Sequence, residues 1–183
     1  TAQEKEYKQA KKRAAENLGA RALPSNSEVA RELDAIAEER EGTSRLERLV
    51  QMRKEALEIM QILEDFNPRL VGSVWRGTVN RDSDIDIAAF ACEPNAVLTQ
   101  LRKGGFSIAK AEWLSVTKEG KKKTSFHIYL ALQSGNEAEI VVRSVEEMNR
   151  YEKCEIYGDM IMGLKDFQLA KVLREDRLAR FVP

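Results

Sequence analysis

Asp84 and Asp86 are the residues of this sequence whose type and spacing point most directly to chemistry. They alternate with Ile85 and Ile87, and residues two apart in a strand point to the same side. The two carboxylates are therefore predicted to project together while the isoleucines face the core. Adjacent carboxylates repel each other, and a fold tolerates them better when a cation lies between them. Oxygen ligands of this kind favour a hard cation such as Mg²⁺, which completes its shell with water and phosphate oxygens.

Gly72 and Ser73 form a second chemical feature, with ten residues between Ser73 and Asp84. A strand that ends in Gly-Ser and turns into a short helix exposes backbone N–H groups, which suit an anion such as a nucleoside triphosphate. Metal-binding carboxylates beside such a corner predict a phosphoryl- or nucleotidyl-transfer site, with in-line displacement between two ions. Arg76 and Arg81 have two open interpretations: they contact phosphates, or they neutralise Asp82 and the carboxylate cluster.

The combined pattern resembles the signature of the polymerase-β-type nucleotidyltransferase superfamily. The matching residues are Gly-Ser-x-x-Arg-Gly-Thr from Gly72 and Ser-Asp-Ile-Asp ending at Asp86. The stretch looks closest to the archaeal CCA-adding enzymes, the oligoadenylate synthetases and the minimal nucleotidyltransferases that pair with small helical toxins. The resemblance implies that Gly72 and Ser73 hold the triphosphate of an NTP and that Asp84 and Asp86 bind two Mg²⁺ ions, or Mn²⁺ in their place.

The same resemblance implies a third carboxylate on a later strand, which binds the catalytic metal and helps to deprotonate the attacking hydroxyl. Glu139 is the best match by position, although Asp is the commoner residue there. Glu137 lies on the same face by parity and is the second choice, and Glu112 is the third. The catalytic and metal-binding set expected from the sequence is therefore Asp84, Asp86 and Glu139.

The leading hypothesis for function is a Mg²⁺-dependent nucleotidyltransferase that moves an NMP group from an NTP to a hydroxyl acceptor and releases pyrophosphate. The acceptor stays open among an RNA 3′ end, a protein side chain and a small molecule. One alternative is a catalytically weak, antitoxin-like nucleotide-binding module that acts through a protein partner. Another is an RNA-binding module that uses the basic hairpin around Lys121–Lys123. A homo-oligomer or a helical partner is compatible with each of these hypotheses.

The elements expected to position these residues give an α+β fold, with a small mixed sheet, helices packed on one face and helices at both ends. We expect an N-terminal helical region over 1–66, a catalytic core over 67–143 and C-terminal helices over 144–183. Capping boxes at Ser25, Ser44 and Ser144 predict helix starts, and Gly42 predicts a stop. The C-terminal region is predicted to form two helices that break near Gly163.

Composition limits the remaining possibilities. The 183 residues carry 30 basic and 30 acidic side chains, which argues against a protein that coats nucleic acid through global positive charge. Two cysteines and one histidine cannot form a Cys/His zinc site without another type of ligand. No apolar run suits a membrane span and the first residues are too polar for a secretion signal, so we expect a cytoplasmic protein. His127, flanked by apolar residues, is interpreted as structural, with a nucleotide contact as the alternative.

Overall fold

A computed structural model describes residues 2–118 and 121–183, with side chains described for residues 8–115 and 124–183. Among the described helices, none combines the length and the apolar character needed to cross a membrane. Short 3₁₀ turns occur at Glu64–Phe66 and Val145–Glu147. The other elements are, in chain order, α1 (Ala2–Leu18), α2 (Asn26–Ile62), β1 (Arg69–Val71), α3 (Gly72–Arg76), β2 (Ile85–Phe90), α4 (Pro94–Lys103), β3 (Ser107–Lys118), β4 (Lys121–Ala131), β5 (Glu137–Arg143) and α5 (Asp166–Glu175).

The strands form one mixed sheet in the order β1-β2-β5-β4-β3. β2 and β5 pair in parallel, and the other neighbours pair antiparallel. Such a sheet, combined with helices, is the α+β arrangement expected from the sequence. The parallel pair lies near the middle of the sheet. Aligned residues of β2 and β5 point to the same face, so their side chains meet there.

The two faces of the sheet differ in polarity because side chains alternate along each strand. On one face, Ile85, Ile87 and Ile140 are fully buried in the main apolar core. α2 supplies Met52 and Ile59 to the same core, and α4 also packs against this face. The opposite face carries Asp86, Glu139 and other polar side chains, and it is open to the cleft described below.

The long helix α2 begins with the predicted capping box, in which Ser25 and Glu28 exchange hydrogen bonds. Gly42 has a non-helical backbone, with φ 53° and ψ −133°, so a first helix ends there and a second begins directly after it within α2. The capping box predicted at Ser44 is wrong, because the Ser44 hydroxyl donates back to the Glu41 carbonyl at 2.7 Å. The predicted stop at Gly42 is thus confirmed, and the two halves of α2 are separate helices joined at a kink.

The C-terminal region departs from the prediction of two helices. The Ser144 hydroxyl accepts a hydrogen bond from the Glu146 N–H, as a cap does, but only a 3₁₀ turn follows. The chain then runs without a helix to α5, and Leu164 pairs with Leu70 at the edge of the sheet. Backbone pairing with β1, through N–H···O bonds of 2.8 and 2.9 Å between Leu70 and Leu164, takes the place of helical hydrogen bonds. A capping signal is local, and it could not reveal this long-range pairing.

The predicted basic hairpin lies only partly within the described chain. β3 and β4 pair up to Lys118 and Lys121, in agreement with a hairpin. The residues between them and the side chains of Lys121–Lys123 lie outside the described residues, so the proposed RNA contact there stays a prediction.

Candidate active site

Three carboxylates meet where β2 and β5 run side by side. Asp84 immediately precedes β2, Asp86 is its second residue, and Glu139 is the third residue of β5. One carboxylate oxygen from each of the three side chains lies within 4.8 Å of the others. We call Asp84, Asp86 and Glu139 the carboxylate cluster.

Strand register explains why residues more than fifty positions apart come together. In the parallel pair, Asp86 is aligned with Glu139 while Ile85 and Ile87 are aligned with Ala138 and Ile140. The alternation that buries the apolar residues therefore places both acids on the open face. The loop before β2 brings Asp84 to the same place, and Asn80 stabilises that loop by accepting a hydrogen bond from the Asp82 N–H at 2.8 Å.

Burial and mutual repulsion both disfavour the charged forms of the aspartates. Burial, with added repulsion from Asp84 and Glu139, raises the pKa of Asp86 to about 7. The pKa of Asp84 is also raised, chiefly by burial and further by the charges of Glu139 and Glu137, against a hydrogen bond to its own backbone that lowers it. A cation at the cluster would offset this repulsion, so the electrostatics suit a divalent ion bound by oxygen.

Gly72 lies directly against the cluster. Its φ of +68° favours glycine, and a Cβ at this position would lie 2.0 Å from the Asp86 Oδ2 atom. The requirement for glycine thus comes from the approach of the backbone to a carboxylate. Ser73 follows in α3, and both residues border the same cleft.

A cleft of about 380 Å³ opens beside Gly72, Ser73, Asp84 and Asp86. The polar part of the cleft lining continues into the loop that precedes β2. Its apolar walls come from the first half of α2 and from the segment before α5, namely Ala30, Leu33, Ala37, Ile156, Tyr157 and Ile161. The carboxylate cluster therefore borders a space with one polar side and one apolar side, which suits a ligand with both characters.

The two arginines of the motif occupy different environments. Arg76 is 5% exposed, and its guanidinium donates to both carboxylate oxygens of Asp159 and to the Phe181 carbonyl. Arg81 lies at the surface, 3.6 Å from the Asp82 carboxylate. Arg76 thus fastens α3 to the C-terminal segments and also lines the cleft, whereas Arg81 has an exposed guanidinium and is not among the residues that line it.

Neither of the two alternative third carboxylates belongs to the carboxylate cluster. Glu137 is exposed at the start of β5, and it affects Asp84 only through its charge. Glu112 lies on β3, where its carboxylate accepts a hydrogen bond from the Lys110 ammonium at 2.5 Å. Within the described residues, Glu139 is the glutamate that joins the two aspartates.

The sequence interpretation missed the surroundings of Glu139. His127 Nδ1 lies 2.6 Å from Glu139 Oε1, and the Tyr129 hydroxyl also bonds this carboxylate. Burial, followed by the bond to Glu139 and nearby acidic charges, raises the pKa of Tyr129 to about 12. Spacing did hold a signal, because His127 and Tyr129 alternate with the buried residues Phe126, Ile128 and Leu130. That alternation places both on the open face.

The family model described as nucleotidyltransferase domain matches residues 53–155, which is more than half of the 183 residues. The chain belongs to the nucleotidyltransferase domain family. The match contains Gly72, Ser73 and the whole carboxylate cluster. No protein of curated function matches the chain significantly in sequence.

The chain is also similar to solved structures, at low sequence identity. Cid1 in complex with the UTP analog UMPNPP is 16% identical, with 52% of this chain and 31% of that chain covered and a TM-score of 0.37. A cytoplasmic RNA terminal U-transferase is 16% identical, with coverages of 62% and 35% and a TM-score of 0.37. The GLD-2/RNP-8 complex is 15% identical, with coverages of 67% and 44% and a TM-score of 0.38. The chain thus spans less than half of the length of each of these solved chains.

The carboxylate cluster fits the cofactor class of the family. Nucleotidyltransferases of this type use divalent metals together with an NTP, and three converging carboxylates supply the oxygen ligands that such ions prefer. Gly72 packs against Asp86, and burial of this carboxylate is the main cause of its raised pKa, so a bound cation would relieve the cost of its charge.

Proposed function

We propose that the chain transfers an NMP group from an NTP to a hydroxyl acceptor and releases pyrophosphate. The observation that carries this proposal is the convergence of Asp84, Asp86 and Glu139 within 4.8 Å at the edge of the cleft. A nucleotidyltransferase domain supplies the reaction class, and the cluster supplies side chains suited to it.

In this proposal Asp84, Asp86 and Glu139 hold two Mg²⁺ ions, and Mn²⁺ suits the same oxygen ligands. When bound, the ions neutralise the charge of the phosphates and lower the pKa of the acceptor hydroxyl. Gly72 and Ser73 bind the triphosphate, because the glycine lets an anion approach the backbone and the serine adds a hydroxyl donor.

The chemical step is a single displacement at the α-phosphorus. A bond forms between the acceptor oxygen and the α-phosphorus, and the bond from that phosphorus to the oxygen bridging to the β-phosphate breaks. Pyrophosphate leaves with the electrons of that bond. The acceptor proton passes to the Glu139 carboxylate, which acts as general base.

The arginines take separate roles here. Arg81 has an exposed guanidinium and lies in the chain between Asn80 and Asp82, which line the cleft, so it is the one we assign to the phosphates. Arg76 already binds Asp159 and the Phe181 carbonyl, so we assign it to holding α3, and hence Gly72 and Ser73, in place.

Pyrophosphate release from γ-labelled NTPs tests the proposal, with Mg²⁺ present and with an RNA oligonucleotide, the protein itself or small hydroxyl compounds as acceptors. Asp84→Asn, Asp86→Asn and Glu139→Gln should each reduce release by at least about 100-fold, as loss of a group that stabilises the transition state does. Glu137→Gln is the control on β5.

Release that persists in all three cluster variants would overturn the proposal. No release with any acceptor, together with tight NTP binding and co-purification of a protein partner, would instead support the alternative module. The acceptor class that sustains release identifies the substrate among the RNA 3′ end, protein and small-molecule possibilities.

A further inference from the structure

The single histidine of the chain forms part of a chain of hydrogen bonds that ends at the carboxylate cluster. His127 Nδ1 lies 2.6 Å from Glu139 Oε1, and His127 Nε2 lies 2.7 Å from Ser125 Oγ. The side chains are largely shielded, with His127 15% and Glu139 21% exposed. Both ring nitrogens are therefore engaged, and the imidazole plane is fixed between a hydroxyl and a carboxylate.

Strand pairing places this chain of bonds. β4 lies beside β5, with Tyr129 directly opposite Glu139 and His127 opposite Val141. The His127 ring thus reaches Glu139 diagonally across the pair, a distance that a long side chain can span. Ser125 precedes it on the same face, and the three polar residues of β4 form a row beside the cluster.

The direction of the hydrogen bonds follows from the groups involved. An ionised carboxylate only accepts, so the proton lies on His127 Nδ1 and is donated to Glu139. In a neutral imidazole the other nitrogen is then an acceptor, and the Ser125 hydroxyl donates to it. Ser125 therefore stabilises the one tautomer that can donate to Glu139.

We propose that His127 is a positioning residue that orients the Glu139 carboxylate toward Asp84 and Asp86, with Ser125 holding the imidazole in place. This inference rests on the proposed function of the cluster. Glutamate has one more rotatable bond than aspartate, and orienting it without a partner costs side-chain entropy. The bond from His127 fixes Glu139 Oε1, and the carboxylate retains free acceptor positions for a cation.

Partners that orient a metal-binding carboxylate typically contribute about 10- to 100-fold to metal affinity or activity. A histidine that served only the fold would affect the melting temperature and leave both of these properties unchanged. The hydrogen bond from Tyr129 also remains when His127 is changed. The expected result is therefore a partial loss of function in a folded protein.

The test uses the full chain and compares His127→Leu with His127→Asn. Leucine keeps the approximate volume without a donor, whereas the asparagine amide nitrogen can take the place of Nδ1. Mn²⁺ affinity is measured by electron paramagnetic resonance, and kcat and KM for NTP are measured separately. His127→Leu should weaken Mn²⁺ binding about 10- to 100-fold and lower kcat with little change in KM, and His127→Asn should restore most of both.

Ser125→Ala is a second variant that leaves His127 and Glu139 in place and should produce a smaller loss in the same direction. Ser115→Ala is its matched control, because Ser115 bonds Thr124 at 3.0 Å on the same hairpin, away from the cluster. If His127→Leu does not fold, the positioning role is judged by whether Ser125→Ala loses more Mn²⁺ affinity and kcat than Ser115→Ala.

Unchanged Mn²⁺ affinity and kcat in His127→Leu, or equal loss in His127→Leu and His127→Asn, would overturn the positioning role. Glu139→Gln separates this outcome from failure of the proposed function. If Glu139→Gln weakens Mn²⁺ binding and His127→Leu does not, only the inference about His127 is wrong. If Glu139→Gln leaves Mn²⁺ binding unchanged, the proposed ligand set fails, and the role of His127 fails with it.

Discussion

At the scale of single residues, we expect Asp86 to make the proposed metal binding depend on pH. Its pKa is raised from the ordinary value near 4 to about 7 by burial and by the charges of Asp84 and Glu139. Between these two values the folded state binds more protons than the unfolded state, so the free energy of unfolding falls as pH rises. A divalent ion competes with that proton and, once bound, compensates the repulsion.

We therefore expect the metal-free protein to lose stability between about pH 4 and pH 7, by at most about 1.4 kcal/mol per pH unit from this group. Mn²⁺ affinity should rise over the same interval and level off above about pH 7. Urea unfolding after chelation and Mn²⁺ titration at several pH values measure the two effects. Asp86→Asn should flatten the stability slope, and an unchanged slope in that variant would assign the effect to another group.

Gly72 permits a prediction with a close internal control. Gly72→Ala places a Cβ 2.0 Å from Asp86 Oδ2 at a positive φ, so Asp86 must move. Gly105→Ala shares the positive φ, +83°, but its Cβ meets nothing within 4 Å. The control should cost only the backbone strain, about 1 kcal/mol. Gly72→Ala should cost more and also weaken Mn²⁺ binding, measured by unfolding and by titration. Equal effects of both substitutions would show that Asp86 accommodates the methyl group.

At the scale of elements, a buried arginine of α2 holds α3 and the C-terminal segment together. Arg53 is fully buried, and burial lowers its pKa to about 10. It donates hydrogen bonds to the Val74 and Trp75 carbonyls of α3, each at 3.1 Å. It also donates to the Arg177 and Ala179 carbonyls at 2.8 Å. The short helix that carries Gly72 and Ser73 thus relies on the Arg53 side chain as the partner of the Val74 and Trp75 carbonyls.

Arg53→Met should destabilise the protein by about 3 to 5 kcal/mol, because two buried and two partly buried carbonyls lose their donors. Arg53→Lys should recover little of the lost stability, since an ammonium lacks the planar set of N–H donors with which the guanidinium reaches all four carbonyls. Lys54→Met is the matched control, because Lys54 is the exposed neighbour on the same helix. Chemical denaturation measures the difference, and similar midpoints for Arg53→Met and Lys54→Met would contradict the proposed bracing.

The elements that carry the cluster could be predicted from the sequence because their signals are local. The alternation of Asp84 and Asp86 with Ile85 and Ile87 predicted β2 and the face on which both carboxylates lie. The spacing of Gly72, Asp84 and Asp86 predicted that they act together. The contact between His127 and Glu139 could not be predicted from local spacing, because it depends on the register in which β4 pairs with β5. Arg53 and the Leu70–Leu164 pairing depend in the same manner on contacts distant in sequence.

At the scale of the whole molecule, the wall of the cleft depends on a charge cluster that joins distant parts of the chain. Asp34 lies in the first half of α2, before the kink at Gly42. Its carboxylate pairs with Arg45, beyond the kink, and with Arg180 near the C-terminus. Arg45 is 3% exposed and also donates to the Val79 carbonyl at 2.5 Å. These contacts hold the half-helix with Ala30 and Leu33 over Gly72 and Ser73.

Asp34→Ala should therefore loosen one wall of the cleft and leave the carboxylate cluster intact. We expect KM for NTP to rise several-fold with a smaller change in kcat, and amide hydrogen exchange to increase over residues 26–41. Glu38→Ala is the matched control, because Glu38 lies one turn further along α2, 3.9 Å from the same Arg45, and its side chain is 70% exposed. A rise in KM without faster exchange would mean that Asp34 contacts the nucleotide itself. Faster exchange with unchanged KM would mean that this half of α2 does not contribute to NTP binding.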